Sequence, residues 1–234
     1  MPKLNVLPNR IAPPDSLACL IERAQGLAGA TLGEIAQQFD FPVPALHEAA
    51  KGWTGQLLEW VLGATAGSRP IPDFPELGVE LKTLPVNRQG KPRESTFVCV
   101  VSLQQIGGQT WLNSSVYQKL RCVLWVPYWS EPEVPLLNSV LGHALLWQPC
   151  ADELASIQQD WEMFAELIAL GRWDQITGRL GQDLQIRPKG ADSKALCEAF
   201  DATGRLVKTL PRGFYLRAQF THALMQRYFA FSSG

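Results

Sequence analysis

The sequence lacks a long hydrophobic run, and no segment approaches the roughly 18 consecutive apolar residues of a membrane-spanning helix. The first 14 residues carry Lys3, Arg10 and four prolines, and they lack the apolar centre of a secretion signal. We therefore expect a cytoplasmic protein with no membrane association.

Cysteines with metal-binding or redox spacing are also absent. The five cysteines are odd in number, widely separated and set among apolar residues (Cys19, Cys99, Cys122, Cys150 and Cys197). No CxxC pair or Cys/His combination occurs, which argues against a zinc site. Buried, reduced thiols are the expectation.

Histidine is scarce, and His47, His143 and His222 form no HxH or HExxH pair. Structural histidines are therefore expected, rather than a histidine metal site or general base. The GxxxxGK[ST] phosphate-binding loop is missing as well, so we expect no ATPase activity from this chain. Any role of ATP must come through a partner.

The 234 residues are 46% hydrophobic and 18% charged, which excludes a disordered tail, a collagen-like repeat and a disulfide-stapled miniprotein. A chain of this length forms one or two domains and can bury a core that needs no structural metal. The net charge is −1, but residues 176–234 contain nine basic and four acidic side chains. This basic C-terminal quarter either binds a polyanion or is a solvated surface, and charge alone leaves both interpretations open.

Helical and strand patterns both occur, and they predict a mixed α/β class with helices flanking one central mixed β-sheet. One helix is predicted to begin after Asp15 or Ser16, and another after Thr31, which has Glu34 at capping-box spacing. Further predicted helices cover 51–64, 151–170, 193–200 and 221–231. Predicted strands cover 77–82, 95–102, 122–126, 144–147, 183–187, 205–210 and 214–217.

One segment, residues 72–82, carries side chains suited to phosphodiester chemistry. Glu80 and Lys82 project from the same face of the predicted strand, because side chains two apart point to the same side. Asp73 can reach that face from the preceding Pro-rich turn. Two converging carboxylates bind a hard cation such as Mg²⁺, and a neighbouring lysine can orient or deprotonate a water. The alternative is an edge strand with a Glu–Lys pair in solvent.

The sequence around this segment resembles that of a known family. The resemblance covers residues 50–230 in unbroken order, and it is carried by 51–59 (KGWTGQLLE), 76–85 (ELGVELKTLP), 94–99 (ESTFVC), 123–127 (VLWVP), 184–189 (LQIRPK) and 210–216 (LPRGFYL). These stretches are similar to the MutH family of mismatch-repair endonucleases. The resemblance implies the type II restriction-endonuclease fold with an Asp…Glu-x-Lys active site.

The resemblance also implies roles for individual residues. Asp73 and Glu80 correspond to the metal-binding carboxylates, with the backbone carbonyl of Leu81 as a further ligand, and Lys82 corresponds to the catalytic lysine. Glu59 and Lys119 match a further acid and a further lysine of the same site. By their own sequence context, Glu59 can equally be a solvent-facing helix residue and Lys119 a surface lysine.

For DNA recognition, the resemblance places Arg187, Pro188 and Lys189 in a loop that reads the major groove, where arginine and lysine suit guanine and a carbonyl suits the adenine amino group. Gly190, where the family usually has alanine, belongs to this loop. Tyr215 matches the aromatic residue that senses adenine N6-methylation, although a half-buried strand aromatic is the alternative. Phe97 and Lys51 also match DNA contacts of the family. The alternative for Phe97 is a strand residue in the core, and the alternative for Lys51 is a surface charge.

The implied protein is a Mg²⁺-dependent endodeoxyribonuclease, with Mn²⁺ able to substitute, that nicks the unmethylated strand 5′ of the G in hemimethylated GATC and leaves a 5′-phosphate. Its implied partners are double-stranded DNA with hemimethylated or unmethylated GATC and MutL, which MutS loads at a mismatch. We expect a monomer with one domain of two lobes: about residues 1–66 with the central strands for catalysis, and about 176–234 for DNA recognition. The alternatives are a stand-alone GATC restriction endonuclease and a catalytically inactive methylation-sensing DNA-binding module.

Overall fold

The computed structural model describes residues 11–44, 52–189 and 195–229. The helices in these ranges are α1 (Leu17–Gly26), α2 (Leu32–Gln38), α3 (Trp53–Leu62), α4 (Ser115–Leu120), α5 (Ala151–Ala169) and α6 (Ala218–Tyr228). The strands are β1 (Glu80–Val86), β2 (Thr96–Val100), β3 (Val123–Trp129), β4 (Leu145–Trp147), β5 (Leu184–Pro188), β6 (Cys197–Phe200), β7 (Leu206–Thr209) and β8 (Arg212–Leu216). The predicted α/β class is confirmed.

The chain forms two compact units. The first contains the described residues up to Arg93 together with Cys122–Trp147, and the second contains Glu94–Arg121 and the described residues from Gln148 onward. Within the described ranges, every helix is too short or too polar to cross a bilayer.

The first unit contains helices α1 to α3 and a mixed sheet of order β1-β3-β4. Strand β1 runs parallel to β3 with Glu80 opposite Val123, and β4 runs antiparallel to β3. Parallel and antiparallel pairing therefore both occur in this sheet, as predicted. The helices and the sheet share one apolar core.

The helix starts follow from local sequence. The Ser16 side chain accepts from the backbone N–H of Cys19, and Thr31 forms a reciprocal capping box with Glu34, so both predicted caps are confirmed. Along α3 the residues spaced by four, Trp53, Leu57 and Val61, are buried, as their helical periodicity predicts.

The second unit contains a sheet of order β2-β8-β5, in which both pairings are antiparallel. Helix α5 buries Trp161 and Phe164, and these rings contact Trp111 and Phe214 respectively. The predicted helix over 151–170 is therefore confirmed almost to the residue. The strands β6 and β7 form a separate antiparallel ribbon.

A buried acid and an arginine hold the segment that leads into β5. The carboxylate of Asp160, on α5, is only 7% exposed and accepts hydrogen bonds of 2.7–2.9 Å from the backbone N–H groups of residues 182, 183 and 184. Arg217 donates to the carbonyls of residues 178, 180 and 181 in the same segment. These contacts fix where β5 begins.

Three expectations about secondary structure are wrong in detail. The described strands form three sheets, not one. The helix expected over 193–200 is replaced by strand β6 in its described part, because Cys197–Phe200 pairs with β7 across a turn that Asp201 stabilises through the N–H groups of residues 203 and 205. The strand expected from residue 77 starts only at Glu80, since residues 74–79 form a tight turn.

The cysteines are all free, as expected, but burial is confirmed only for Cys99 and Cys122. Cys150 is exposed at the N-cap of α5, where its backbone N–H donates to the Glu153 carboxylate at 2.9 Å.

Candidate active site and nucleic-acid interface

The side chains of Glu80 and Lys82 meet on one face of β1. Lys82 Nζ lies 2.6 Å from Glu80 Oε1, and the exposed fractions of the two side chains are 12% and 3% respectively. The spacing of two along the strand therefore brings these groups together as the sequence predicts. A carboxylate this buried needs the cationic partner, because its water has been removed.

Asp73 reaches the same strand from the preceding turn. Its Oδ2 accepts a hydrogen bond of 2.8 Å from the backbone N–H of Leu81. The backbone N–H and C=O of one strand residue point to the same edge of the strand. Strand β3 pairs with β1 along one edge, and Asp73 binds the Leu81 N–H at the other. The Leu81 carbonyl therefore faces the side on which Asp73 lies.

The turn between Asp73 and β1 is closed by backbone hydrogen bonds. Phe74 and Val79 pair with each other, and Gly78 has a φ of +66°, a left-handed conformation that favours glycine. The backbone carbonyl of Asp73 also accepts from the N–H groups of Thr65 and Ala66, in the segment that follows α3. Asp73 is thus held from both neighbouring segments.

The other two residues assigned to catalysis lie on helices. Glu59 is half-buried on α3, which packs against β1 in the first unit. Lys119 is half-buried on α4 in the second unit. Their participation in the same site stays a prediction.

The donor set fits a hard cation. The described residues contain no group of three His, Cys, Asp or Glu side chains that could hold a metal. Asp73, Glu80 and the Leu81 carbonyl offer oxygen atoms alone, which is the chemistry that Mg²⁺ selects, and Mg²⁺ commonly uses only one or two protein carboxylates with water and phosphate completing its shell. A Mg²⁺ site at these three residues is therefore compatible with the structure.

Four of the residues predicted to contact DNA, Phe97, Arg187, Lys189 and Tyr215, lie together in the second unit, at one face of the sheet β2-β8-β5. We call this surface the aromatic face; it consists of Phe97, Gln185, Arg187, Gly213 and Tyr215, with Lys189 beyond the end of β5. Phe97 and Tyr215 lie opposite each other in the strand register, and their ring centroids are 5.4 Å apart in an edge-to-face arrangement.

Two cations cover these rings. Lys189 Nζ lies 2.9 Å from the centroid of the Phe97 ring, and the Arg187 guanidinium lies 5.9 Å from the centroid of the Tyr215 ring. Arg187, Pro188 and Lys189 are all exposed, and the N–H of Lys189 donates to the carbonyl of Pro211. Arg187, Lys189, Phe97 and Tyr215 therefore form one basic and aromatic surface, in which the cations are exposed and the two rings are half-buried.

Sequence reasoning missed two members of this surface. Gln185 is only 7% exposed, lies opposite Tyr215 in the register, and donates from Nε2 to Ser95 Oγ at 2.6 Å. Gly213 lies opposite Arg187, two residue pairs further along the sheet. Both lie within stretches that carry the family resemblance (184–189 and 210–216), but neither side chain has a chemistry that points to this surface, so the strand register was needed to place them.

Burial perturbs the Tyr215 hydroxyl. Desolvation raises the pKa of Tyr215 above its ordinary value of 10.0, the nearby Arg187 charge opposes that increase, and Glu94 adds to it. The hydroxyl is therefore neutral throughout the physiological range and can act as donor or acceptor.

Two predicted DNA contacts, Lys51 and Gly190, lie outside the described residues, as does His47. The other histidines are consistent with structural roles: Nδ1 of His143 lies 3.0 Å from Oε1 of Gln25, and His222 is half-buried on α6.

Comparison with known proteins identifies the family. A family model described as "DNA mismatch repair enzyme MutH" matches residues 62–160. The DNA mismatch repair protein MutH of Vibrio cholerae serotype O1 (strain ATCC 39541) is 52% identical over 211 residues, which cover 90% of this chain and 96% of the relative. The proteins of the same name from Shewanella baltica (strain OS185) and Serratia proteamaculans (strain 568) are each 50% identical, covering 94% and 93% of this chain and 99% and 95% of the respective relative. With half of its residues shared over nearly the full length of these relatives, the chain belongs to the MutH family of DNA mismatch repair enzymes.

Proposed function

We propose that this protein is a Mg²⁺-dependent endonuclease that nicks the unmethylated strand of hemimethylated GATC, 5′ of the G, to direct mismatch repair. The observation that carries the proposal is the cluster on β1, where Lys82 contacts Glu80 at 2.6 Å and Asp73 binds the Leu81 N–H at 2.8 Å. Two carboxylates and a lysine at the end of one turn are the groups needed to hydrolyse a phosphodiester.

In the proposed reaction, Asp73, Glu80 and the Leu81 carbonyl would hold the Mg²⁺ ion. When bound, the ion supplies Lewis-acid polarisation of the scissile phosphate and offsets its developing charge. Lys82, positioned by its ion pair with Glu80, orients the attacking water. The water oxygen bonds to phosphorus as the bond to the 3′ oxygen breaks, which leaves a 3′-hydroxyl and a 5′-phosphate.

Specificity is proposed to come from the aromatic face and its cations. Arg187 and Lys189 carry donors that match guanine O6 and N7 in the major groove, and the Pro188 carbonyl can accept from the adenine amino group. N6-methylation of adenine removes one donor and adds bulk, so a close contact from Tyr215 would reject the methylated base both by the lost hydrogen bond and by steric clash. Phe97 contributes an apolar contact beside it.

Family membership supports a place in mismatch repair, and the partners follow from it as proposals. We propose that MutL, loaded at a mismatch by MutS, activates the nuclease, that Mn²⁺ can replace Mg²⁺, and that the protein acts in the cytoplasm as a monomer. One active site per chain is sufficient for cutting one strand.

The decisive experiment is cleavage of a circular plasmid with a single hemimethylated GATC site, in Mg²⁺, with and without MutL. Wild type should nick the unmethylated strand and MutL should accelerate the nicking, whereas Glu80→Gln should lose activity by at least about 10²-fold, since it removes a charge acting directly in the transition state. Glu76→Gln is the matched control, because Glu76 is an exposed acid in the same turn. This variant should cleave as wild type does.

Other results select other functions. Linearisation of unmethylated plasmid in the absence of MutL would favour a stand-alone restriction endonuclease. Site-specific binding with no cleavage in Mg²⁺ or Mn²⁺ would contradict the nuclease proposal and favour a methylation-sensing binding module. Equal activity of Glu80→Gln and Glu76→Gln would remove the β1 cluster from the mechanism.

A further inference from the structure

Gly213 occupies the middle of the aromatic face without any requirement from its own backbone. It lies within β8, opposite Arg187 on β5 and Val100 on β2, and it is absent from the residues with positive φ. Glycine in a strand interior weakens the strand, because it has no side chain to pack and loses more entropy on folding. The reason for glycine must therefore lie in what a side chain would meet.

A Cβ atom at position 213 would collide with the aromatic pair. It would lie 2.9 Å from Cε2 of Phe97 and 3.1 Å from Cε2 of Tyr215, and a second Phe97 atom would be 3.3 Å away. Carbon atoms prefer separations of about 3.5–4.0 Å, so both rings would have to move. Tyr215 follows Gly213 by two residues, which places both on the same face of the strand.

Both rings contact other groups of the aromatic face. Lys189 covers the Phe97 ring, Arg187 lies beside the Tyr215 ring, and the Gln185–Ser95 hydrogen bond crosses the same face of β8 next to Tyr215. A shift of either ring therefore displaces the cations that contact it. The positions of the two rings and of their cations therefore depend on the empty volume at residue 213.

We propose that Gly213 is a specificity-positioning residue, whose missing side chain lets Phe97 and Tyr215 approach closely enough to distinguish methylated from unmethylated adenine. This inference rests on the proposed function, in which Tyr215 senses the methyl state. Gly213 itself contacts no base in this role; it acts through the two rings.

The first test measures affinity for two duplexes that differ only in N6-methylation of the GATC adenines, by fluorescence anisotropy without divalent metal. Gly213→Ala should reduce the preference for the unmethylated duplex by about ten-fold, the scale of one lost base discrimination. Gly108→Ala is the matched control, because a Cβ there meets nothing within 4 Å in the same unit, and its preference should equal that of wild type. An unchanged preference in a folded Gly213→Ala protein would overturn the proposal.

A second test keeps the inference decidable if Gly213→Ala folds poorly. Urea unfolding is measured for wild type, Gly213→Ala, Phe97→Leu and the double variant. Because leucine vacates the ring volume that the new methyl group needs, the shift in urea midpoint caused by alanine should fall to about half or less in the Phe97→Leu background. Equal shifts in both backgrounds would show that Gly213 does not set the position of the Phe97 ring, and would overturn the proposal.

The first test separates this inference from the proposed function. If wild type shows no preference between the duplexes, methylation sensing fails, and the specificity role of Gly213 fails with it. If wild type discriminates and Gly213→Ala discriminates equally well, only the role of Gly213 fails.

Discussion

Lys82 and Glu80 form an ion pair of 2.6 Å within a single strand, and at most 12% of either side chain is exposed. In this arrangement the lysine compensates a carboxylate that the fold has almost completely removed from water. The pair therefore affects stability as well as the proposed chemistry, and the two contributions can be measured separately.

Lys82→Met should lower the free energy of unfolding by about 3 kcal/mol, because it leaves the Glu80 charge buried without its cation. The double variant Glu80→Gln with Lys82→Met should recover much of this loss, since it removes both charges. The measurement is urea unfolding at neutral pH without divalent metal. Lys91→Met, at an exposed lysine, should change stability by no more than about 0.5 kcal/mol. A double variant as unstable as Lys82→Met would contradict the assignment.

Mg²⁺ should stabilise the folded protein if Asp73 and Glu80 hold it. At a concentration ten times the dissociation constant, one site adds about 1.4 kcal/mol to the free energy of unfolding. Thermal unfolding followed with increasing Mg²⁺ should therefore show a rising midpoint for wild type and for Glu76→Gln, and a much smaller rise for Glu80→Gln. An equal rise in all three proteins would place the metal elsewhere.

The ionisation of Tyr215 should respond to its two charged neighbours in opposite directions. Arg187→Gln should raise the pKa of Tyr215 further, because a nearby positive charge favours tyrosinate, and Glu94→Gln should lower it. The measurement is an alkaline titration of tyrosinate absorbance, with the same titration of the matching Tyr215→Phe proteins subtracted. A shift in the same direction for both variants would be inconsistent with this environment.

The raised pKa of Tyr215 also sets a pH dependence of stability. Its contribution is fully present below the unfolded value near 10.0 and is lost as the pH rises through the folded pKa, because the unfolded state then binds fewer protons than the folded state. The difference in free energy of unfolding between wild type and Tyr215→Phe should therefore stay constant below about pH 9. Above about pH 10, wild type should lose stability relative to the variant.

Asp160→Asn should destabilise the protein by about 1–3 kcal/mol, because the amide oxygen can replace only Oδ2, and the NH₂ group in place of Oδ1 then faces the N–H of Gln182, from which it cannot accept. The matched control is Glu162→Gln on the same helix, an exposed acid whose replacement should cost no more than about 0.5 kcal/mol. Hydrogen exchange should locate the change at the amides of residues 182–184. Equal urea midpoints for the two variants would show that the buried carboxylate contributes nothing.

Part of the fold can be predicted from the sequence, because the local preferences of capping and apolar residues agree with the tertiary packing. The capping residues Ser16 and Thr31 and the apolar stripe of α5 each predict the helix that forms. Residues 197–200 are different: alanine, cysteine and glutamate permit a helix, but pairing with β7 forms a strand. Such pairing overrides local preference and depends on residues distant in the sequence.

The residues of the candidate site likewise include some that the sequence predicts and some that it does not. Glu80 and Lys82 could be paired from the two-residue repeat of a strand, and Asp73 could be placed near them from the turn that precedes it. Gly213 and Gln185 could not be found, since their importance depends on which strands lie next to β8. The roles of the predicted residues stay predictions for the experiments above.

Hydrogen bonding inside the second unit also limits how strongly salt should weaken DNA binding. Of the nine basic residues in 176–234, Arg217 is held by three backbone carbonyls and Arg227 pairs with Glu153 at 2.8 Å. Each phosphate neutralised by a protein cation releases condensed counterions and contributes a slope of about −0.9 to the dependence of log affinity on log salt. This segment should therefore displace counterions from fewer phosphates than its charge suggests, whereas the side chains of Arg187 and Lys189 are exposed beside the aromatic rings.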